Sequence, residues 1–356
     1  MTRIIPALIA VSTVLLSCGD VKIKAIGDDE EILVFADDKA WETLEPVLRE
    51  VLQDTVWTPI PEAWYVLRHV PFEDWGTYEN YMNRIAVAPL SGEGPVADFM
   101  RNSLEPNVQQ LVNDSKEFMF NKYDSRARGQ ILMFLTAPDL VTLEGAIENQ
   151  RSEILYSFEQ MSLRREQAAL VSERSYQKKD IERSLLQRYA WTMTIQHDYH
   201  VAIDSLGGRF FWVRRANPSD LERWIFVHWQ PVSDPTMLKE STILAWRDSI
   251  TKTYLRTIDD HAYVQVAPYH LRIENVNFLG RYAFETRGNW RFSDKTGGGP
   301  FVNYAFYDEK GKRLYMVDGS VFAPRVAKRD LILQVDALLR TFRTAGDLTE
   351  EQREDY

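Results

Sequence analysis

Ile32-Leu33-Val34-Phe35-Ala36-Asp37-Asp38, followed by Trp41, Leu44, Val47, Leu48 and Val51, is the stretch whose reading decides the fold. Five consecutive apolar residues bounded by two aspartates make a strand covered on both faces. The apolar residues behind it recur every three or four positions, as on an amphipathic helix, and Asp37 or Asp38 is placed to cap that helix. The alternation then continues with strands at 63–70, 84–88 and 130–135, a short helix at 74–81, and a largely helical stretch at 96–123.

Pro138-Asp139 opens a charged helical segment in which Leu140, Leu143, Ile147, Ile154, Phe158 and Met161 form an apolar stripe. Unbroken to residue 189 it would run roughly 75 Å, longer than a compact domain, so a break is expected near 172–179. Strands follow at 191–195, 209–214, 224–229, 263–266 and 280–292, interrupted by a helix at 242–255. Asp308-Glu309-Lys310-Gly311-Lys312 joins strands at 302–307 and 313–317 as a hairpin, because aspartate and glycine tolerate turn dihedrals. A helix at 327–342 closes the domain. The fold class is therefore α+β: mixed, largely antiparallel sheets covered by helices, with alternation in both halves that admits two related α/β halves joined by the charged segment.

The organisation expected is a signal peptide at 1–17, a tether at 18–31 carrying a lipidated cysteine, an N-terminal α/β half at 32–138, the helical segment at 139–190, a strand-rich C-terminal half at 191–345 and a frayed acidic tail at 346–356. Arg3 supplies a positive start, residues 4–16 a short apolar run, and Ser17 the small residue before a cleavage site. Leu15-Leu16-Ser17-Cys18 resembles the lipobox of bacterial lipoprotein precursors, which implies acylation of Cys18 by diacylglyceryl and fatty acyl (palmitate-type) chains. Cys18 is the only cysteine, so no disulfide framework competes for it. Several acyl chains, at about 0.8 kcal/mol per buried methylene, make a durable anchor. The expected place is the cell envelope, anchored to the inner or outer membrane with the body periplasmic or at the surface.

The formal charge of -10, without any concentrated basic face, excludes a nucleic-acid partner. No Walker-type lysine, dinucleotide glycine spacing, G-x-S-x-G elbow or H-E-x-x-H motif is present, and no cofactor or metal is implied. His197-Asp198-Tyr199-His200 has ligand types, but its spacing suits a metal only on a helix and reads better as a polar loop. Ser320 reads as a strand serine. Gly297 to Pro300 offers either an anion-binding nest, with Arg287, Arg291 and Lys295 near it, or a tight loop whose glycines take positive φ. Trp57, Trp64, Trp75, Trp229, Trp246 and Trp290 are candidate sugar-stacking rings set against a core role. The apolar stripe of the helical segment is a candidate docking face, set against packing on its own sheet.

Arg287-Gly288-Asn289-Trp290, Gly298-Gly299-Pro300-Phe301-Val302, the run from Asp318 to Pro324 and Lys328-Arg329 together resemble an uncharacterised family of Gram-negative, Bacteroidota-type envelope lipoproteins known only as a domain of unknown function. Ile32 to Asp38 with Trp41, and Phe211-Trp212-Val213-Arg214, look like further blocks of that family, whereas Asn289 and Gly297 depart from its pattern. The resemblance implies a lipoprotein without an assigned activity. The candidate anion or partner site is Arg287, Trp290, Gly298, Gly299, Lys328 and Arg329, and no catalytic residue is assigned. The chain is thus expected to be a non-enzymatic binding or structural module with an envelope protein or glycan as partner. The alternative is a hydrolase acting on a glycan or cell-wall substrate through a carboxylate pair.

Overall fold

The computed structural model describes residues 22–56, 61–170, 177–217, 221–354 and 356. The signal peptide, Cys18 and Trp57 lie outside the described residues. In the N-terminal half, β1 (Glu31–Ala36), α1 (Asp38–Leu52), β2 (Thr55–Val56), β3 (Glu62–Ala63), β4 (Val66–His69), β5 (Asn83–Val87), α2 (Pro95–Ser103), α3 (Pro106–Asn113), β6 (Met119–Tyr123) and β7 (Ile131–Leu135) follow in order. Their five-stranded sheet runs β4-β1-β5-β7-β6, with four strands parallel and β6 antiparallel at the edge.

Alternation along β1 explains its continuous apolar run. Ile32, Val34 and Ala36 face α1 and the helices after the sheet, while Leu33 and Phe35 face an aromatic layer with Trp75 and Tyr78. A parallel sheet covered on both faces needs such strands. The helix expected at 74–81 is instead a 3₁₀ turn at Phe72–Asp74 followed by turns, and the last part of the stretch read as helix is strand β6. Asp37 precedes α1, but its carboxylate accepts from the Val96 and Ala97 N–H groups, 3.0 Å each, and so caps α2. Parallel sheets usually take ligands at helix N-termini beyond the carboxyl ends of their strands. Here Asp37 occupies that seat.

The charged segment is three helices, α4 (Leu140–Asn149), α5 (Arg151–Leu170) and α6 (Lys179–Tyr189). Asp139 caps the first by accepting from the Thr142 N–H. The chain breaks at Gln150, where no break was expected; the expected break overlaps residues outside the described set. Leu143 and Ile147 are fully buried and Leu140 partly so, all against the N-terminal core. The apolar stripe therefore covers its own sheet and is not a free docking face.

The C-terminal half contains β8 (Trp191–Thr192), β9 (His200–Ser205), β10 (Phe210–Arg215), β11 (Glu222–Pro231), α7 (Glu240–Tyr254), β12 (Val264–Val266), β13 (Arg272–Phe278), β14 (Arg281–Phe292), β15 (Gly298–Asp308), β16 (Arg313–Phe322), α8 (Arg329–Leu339), β17 (Arg343–Thr344) and α9 (Glu350–Glu354). Its eight-stranded sheet is antiparallel, β12-β14-β15-β16-β11-β10-β9 with β13 also pairing β14. Hairpins here and β-α-β crossovers in the other sheet are different connectivities, so the two halves are not repeats of one unit. The tail is not frayed over Glu350–Glu354, which is helical, and Arg353 ties it to the Ala345 carbonyl.

One face of the large sheet, through Val302, Tyr304, Phe306, Val317 and Val321, packs on α8; the other, through Phe301, Ala305 and Met316, packs under α7. A Cβ at Gly319 would collide with Val335, so glycine lets α8 lie close on β16. Beneath α7 the fully buried Arg247 donates to both oxygens of Asp318, 2.6 and 3.2 Å, and stacks on Phe301. Ser320 belongs to this buried pair, as its hydroxyl lies 3.2 Å from Asp318.

Candidate functional site at the seam between the sheets

Helices α5 and α8 pack together between the two sheets, and polar side chains fasten that seam. Asp29 accepts from Arg165, and from Arg329 at 2.9 Å. Glu62 accepts from the backbone N–H groups of Lys328 and Arg329 at 2.7 and 2.9 Å, capping α8 from the opposite half. Arg329 also donates to the Trp64 carbonyl at 2.6 Å and lies over the Tyr65 ring.

Beside this clamp is a buried ionic network. Arg287 donates to Glu285 at 2.6 Å and to Asp336 at 2.5 Å. The Tyr304 hydroxyl lies 2.8 Å from both carboxylates and accepts from Arg340 at 2.8 Å. Burial would raise the Asp336 carboxyl, but Arg340 and Arg287 outweigh it and hold the group below the usual carboxylate range. Burial raises the Tyr304 hydroxyl well above its ordinary value, with Asp336 and Glu285 adding to the shift. Two carboxylates, two guanidiniums and a neutral phenol leave no net charge, the arrangement that makes buried ions tolerable.

The network floors an open cleft. Cavities of about 740, 240 and 300 Å³ are each lined in part by Arg272 of β13, with Glu50 and Met119 on one side and Trp64, Arg287 and Asp336 on the other. Arg272 is largely exposed and donates to Glu274 at 2.6 Å. Glu159 of α5 faces two of these cavities. Desolvation pushes its carboxyl up to about 7; Arg287 opposes that shift and Glu285 reinforces it. The site thus holds a carboxylic acid poised near neutrality beside ionised carboxylates and an accessible guanidinium.

The residues grouped from the sequence do not converge on one surface. Arg287, Lys328 and Arg329 reach the seam, but Arg287 is committed to two carboxylates, Lys328 donates to the Val326 carbonyl, and Arg329 is the clamp. Trp290 is buried on the far side of the sheet, where its indole N–H donates to the Val321 carbonyl at 3.1 Å. Gly298 and Gly299 are not a nest: they pair with Arg291 and Trp290 inside β15. A Cβ at Gly299 would strike the Val321 carbonyl oxygen, and this close strand approach is what requires glycine.

Asp198 pairs with Arg215 and Tyr199 is buried, and no metal-ligating cluster occurs among the described residues. Of the candidate sugar-stacking tryptophans, Trp64 reaches the cleft, Trp75 meets Phe35 edge-on, and Trp229 and Trp246 pack in the core. Sequence reading missed Glu159, Arg272, Glu285, Tyr304, Asp336 and Arg340. The one local signal was Asp336, an acid on the apolar face of a helix between Leu333 and Leu339.

Residues 178–341 match the model of a family described as a domain of unknown function (DUF4837). A domain of unknown function is what the resemblance implied, and the blocks from Phe211 to Arg329 fall within the match. No curated protein matches the chain. Among solved structures, the Ran-binding protein Mog1p of Saccharomyces cerevisiae is similar at a TM-score of 0.30 and 9% identity, over 44% of this chain and 90% of that one. A protein from Bacteroides thetaiotaomicron is similar at a TM-score of 0.25 and 10% identity, over 46% and 47%.

Proposed function

We propose that this protein is a lipid-anchored binding protein of the cell envelope, fastened through acylated Cys18 and presenting the seam cleft to an envelope protein or glycan. The observation that carries the binding role is the cleft itself, lined from both sheets and carrying the accessible guanidiniums of Arg151 and Arg272 among carboxylates. Concave sites with a few convergent polar groups are where proteins take ligands. The anchor rests on the order of Arg3, the apolar run and Ser17-Cys18. Among the described residues no helix is long and apolar enough to cross a membrane.

Two measurements test it. Intact mass of protein extracted from native membranes is expected to report an acylated N-terminal cysteine; an unmodified Met1 refutes the anchor. A photo-crosslinking residue at Glu274 is expected to capture envelope components that Arg272→Ala loses. Identical products from a probe at Val141, exposed on α4, refute the cleft.

The hydrolase reading is favoured by one observation: Glu285 and Asp336 each lie 2.8 Å from the Tyr304 hydroxyl, which keeps those two oxygens within about 6 Å of each other, compatible with the ~5–5.5 Å of a retaining pair, with Glu159 poised as an acid beside them. It predicts a soluble fragment released from isolated cell walls by the wild type and absent with Glu159→Gln. No fragment from the wild type removes it.

A further inference from the structure

On the opposite face of the large sheet, where the sheet extends past the end of α7, a cavity of about 700 Å³ opens among aromatic rings. Trp224, Trp290, Leu255 and Val264 form its buried floor. Trp212, Phe292 and Phe322 wall it, half-buried. The rings hold one another: Trp224 and Trp290 have centroids 4.9 Å apart, and Trp290 meets Phe292 edge-on at 5.3 Å. The floor is therefore preformed. Ile258, on the loop after α7, lines the same cavity and is fully exposed, an apolar side chain with nothing packed on it.

The rim decides the ligand's chemistry, because each of its charges already has a partner. Arg214 pairs with Glu222 at 2.7 Å, and Arg256 with Asp260. Asp259 accepts from the His261 N–H, and Asp294 from the Thr296 N–H and hydroxyl. An ionic ligand would have to compete with these pairs for the same groups.

We propose that this cavity is a binding site for a neutral amphipathic molecule, its apolar body on the tryptophan floor and its uncharged polar end at the open, charge-paired rim. Burying apolar surface supplies the attraction at roughly 25 cal/mol per Å², and the volume is that of small-molecule sites. The site lies on the face of the sheet away from the seam and does not depend on the reading of the cleft.

The test uses the purified full chain and the neutral fluorescent probe N-phenyl-1-naphthylamine. Its fluorescence is expected to rise on binding and to fall when monolauroylglycerol competes, with laurate and dodecyltrimethylammonium at least tenfold weaker competitors. Ile258→Glu, a change at a side chain without packing contacts, is expected to weaken probe binding at least tenfold, and Val141→Ser on the other half to leave it unchanged. Trp212→Gln is expected to weaken it too, with thermal melting of that variant reporting its fold. Absence of a fluorescence rise, binding unaffected by Ile258→Glu, or laurate competing as well as the neutral lipid overturns the proposal.

Discussion

Replacing Arg329 with alanine tests whether the seam is a structural joint. The side chain is 3% exposed and holds three oxygens: the Trp64 carbonyl, Asp29 and Asp330. Asp330 is mostly exposed, so that pair contributes little. Asp29 keeps Arg165 after the substitution and is not stranded. The Trp64 carbonyl loses a charge-assisted bond, and Tyr65 loses the guanidinium over its ring. Together these give about 3 kcal/mol, at the low end of the cost of breaking a buried pair. A chain of 356 residues unfolds with an entropy near 0.7 kcal/mol per degree, so the melting temperature should fall by about 4 °C. Circular dichroism and tryptophan fluorescence followed together would show whether the halves melt as one unit. Combining Arg329→Ala with Asp29→Ala should reveal a coupling of roughly 1–2 kcal/mol. A variant melting within 1 °C of the wild type, or a coupling of zero, would refute the clamp.

Asp336→Asn leaves Arg287 and Arg340 without their shared carboxylate and should cost about 3 kcal/mol in denaturant unfolding; an unchanged midpoint would contradict the network. Glu159 and Glu166 are both pushed up to about 7 by burial, the latter with help from Asp29 and Asp330. A carboxyl raised in the folded state stabilises below its unfolded pKa of 4.5 and loses that contribution as pH rises toward 7. Glu159→Gln and Glu166→Gln should therefore each flatten the fall in stability between pH 4.5 and 8, by about 1–2 kcal/mol after allowing for water in the cleft; parallel curves for variants and wild type would argue against buried acids. Gly299→Ala, forced against the Val321 carbonyl, should cost more than about 3 kcal/mol or abolish soluble expression, and a variant of wild-type stability would show that β15 and β16 tolerate separation there.

Strand β1 was legible because both its faces are buried, and helix α1 because its apolar periodicity is unbroken along one face. The hairpin at 308–312 was legible because its turn residues are specific to that geometry. Strands β9 and β13 left no such mark: His200–Ser205 and Arg272–Phe278 lie along sheet edges, mostly exposed, and are defined by backbone pairing. β6 was hidden for the same reason at the edge of the smaller sheet. The family blocks proved to mark close packing and the clamp, as Gly299 and Arg329 show. The cleft was largely illegible because its parts come from α5, β13, β14, β15 and α8, and only folding brings Glu159 beside Arg287.

Asp29 and Arg329 stand 300 positions apart, as do nearly Glu62 and Lys328 at 266. Entropy sets only a mild thermodynamic toll on such separation, about 0.6 kcal/mol per doubling of the loop, but it sets the order of events. On a chain made from its amino end, the smaller sheet has all its strands once Leu135 has appeared, while the helix that completes its joint is among the last segments synthesised. Until then Glu62 and the Trp64 carbonyl lack their partners from α8, Asp29 has Arg165 alone, and the cleft lacks a wall. Formation of the cleft is thus tied to completion of the chain, and a product truncated before Lys328 would lack the seam.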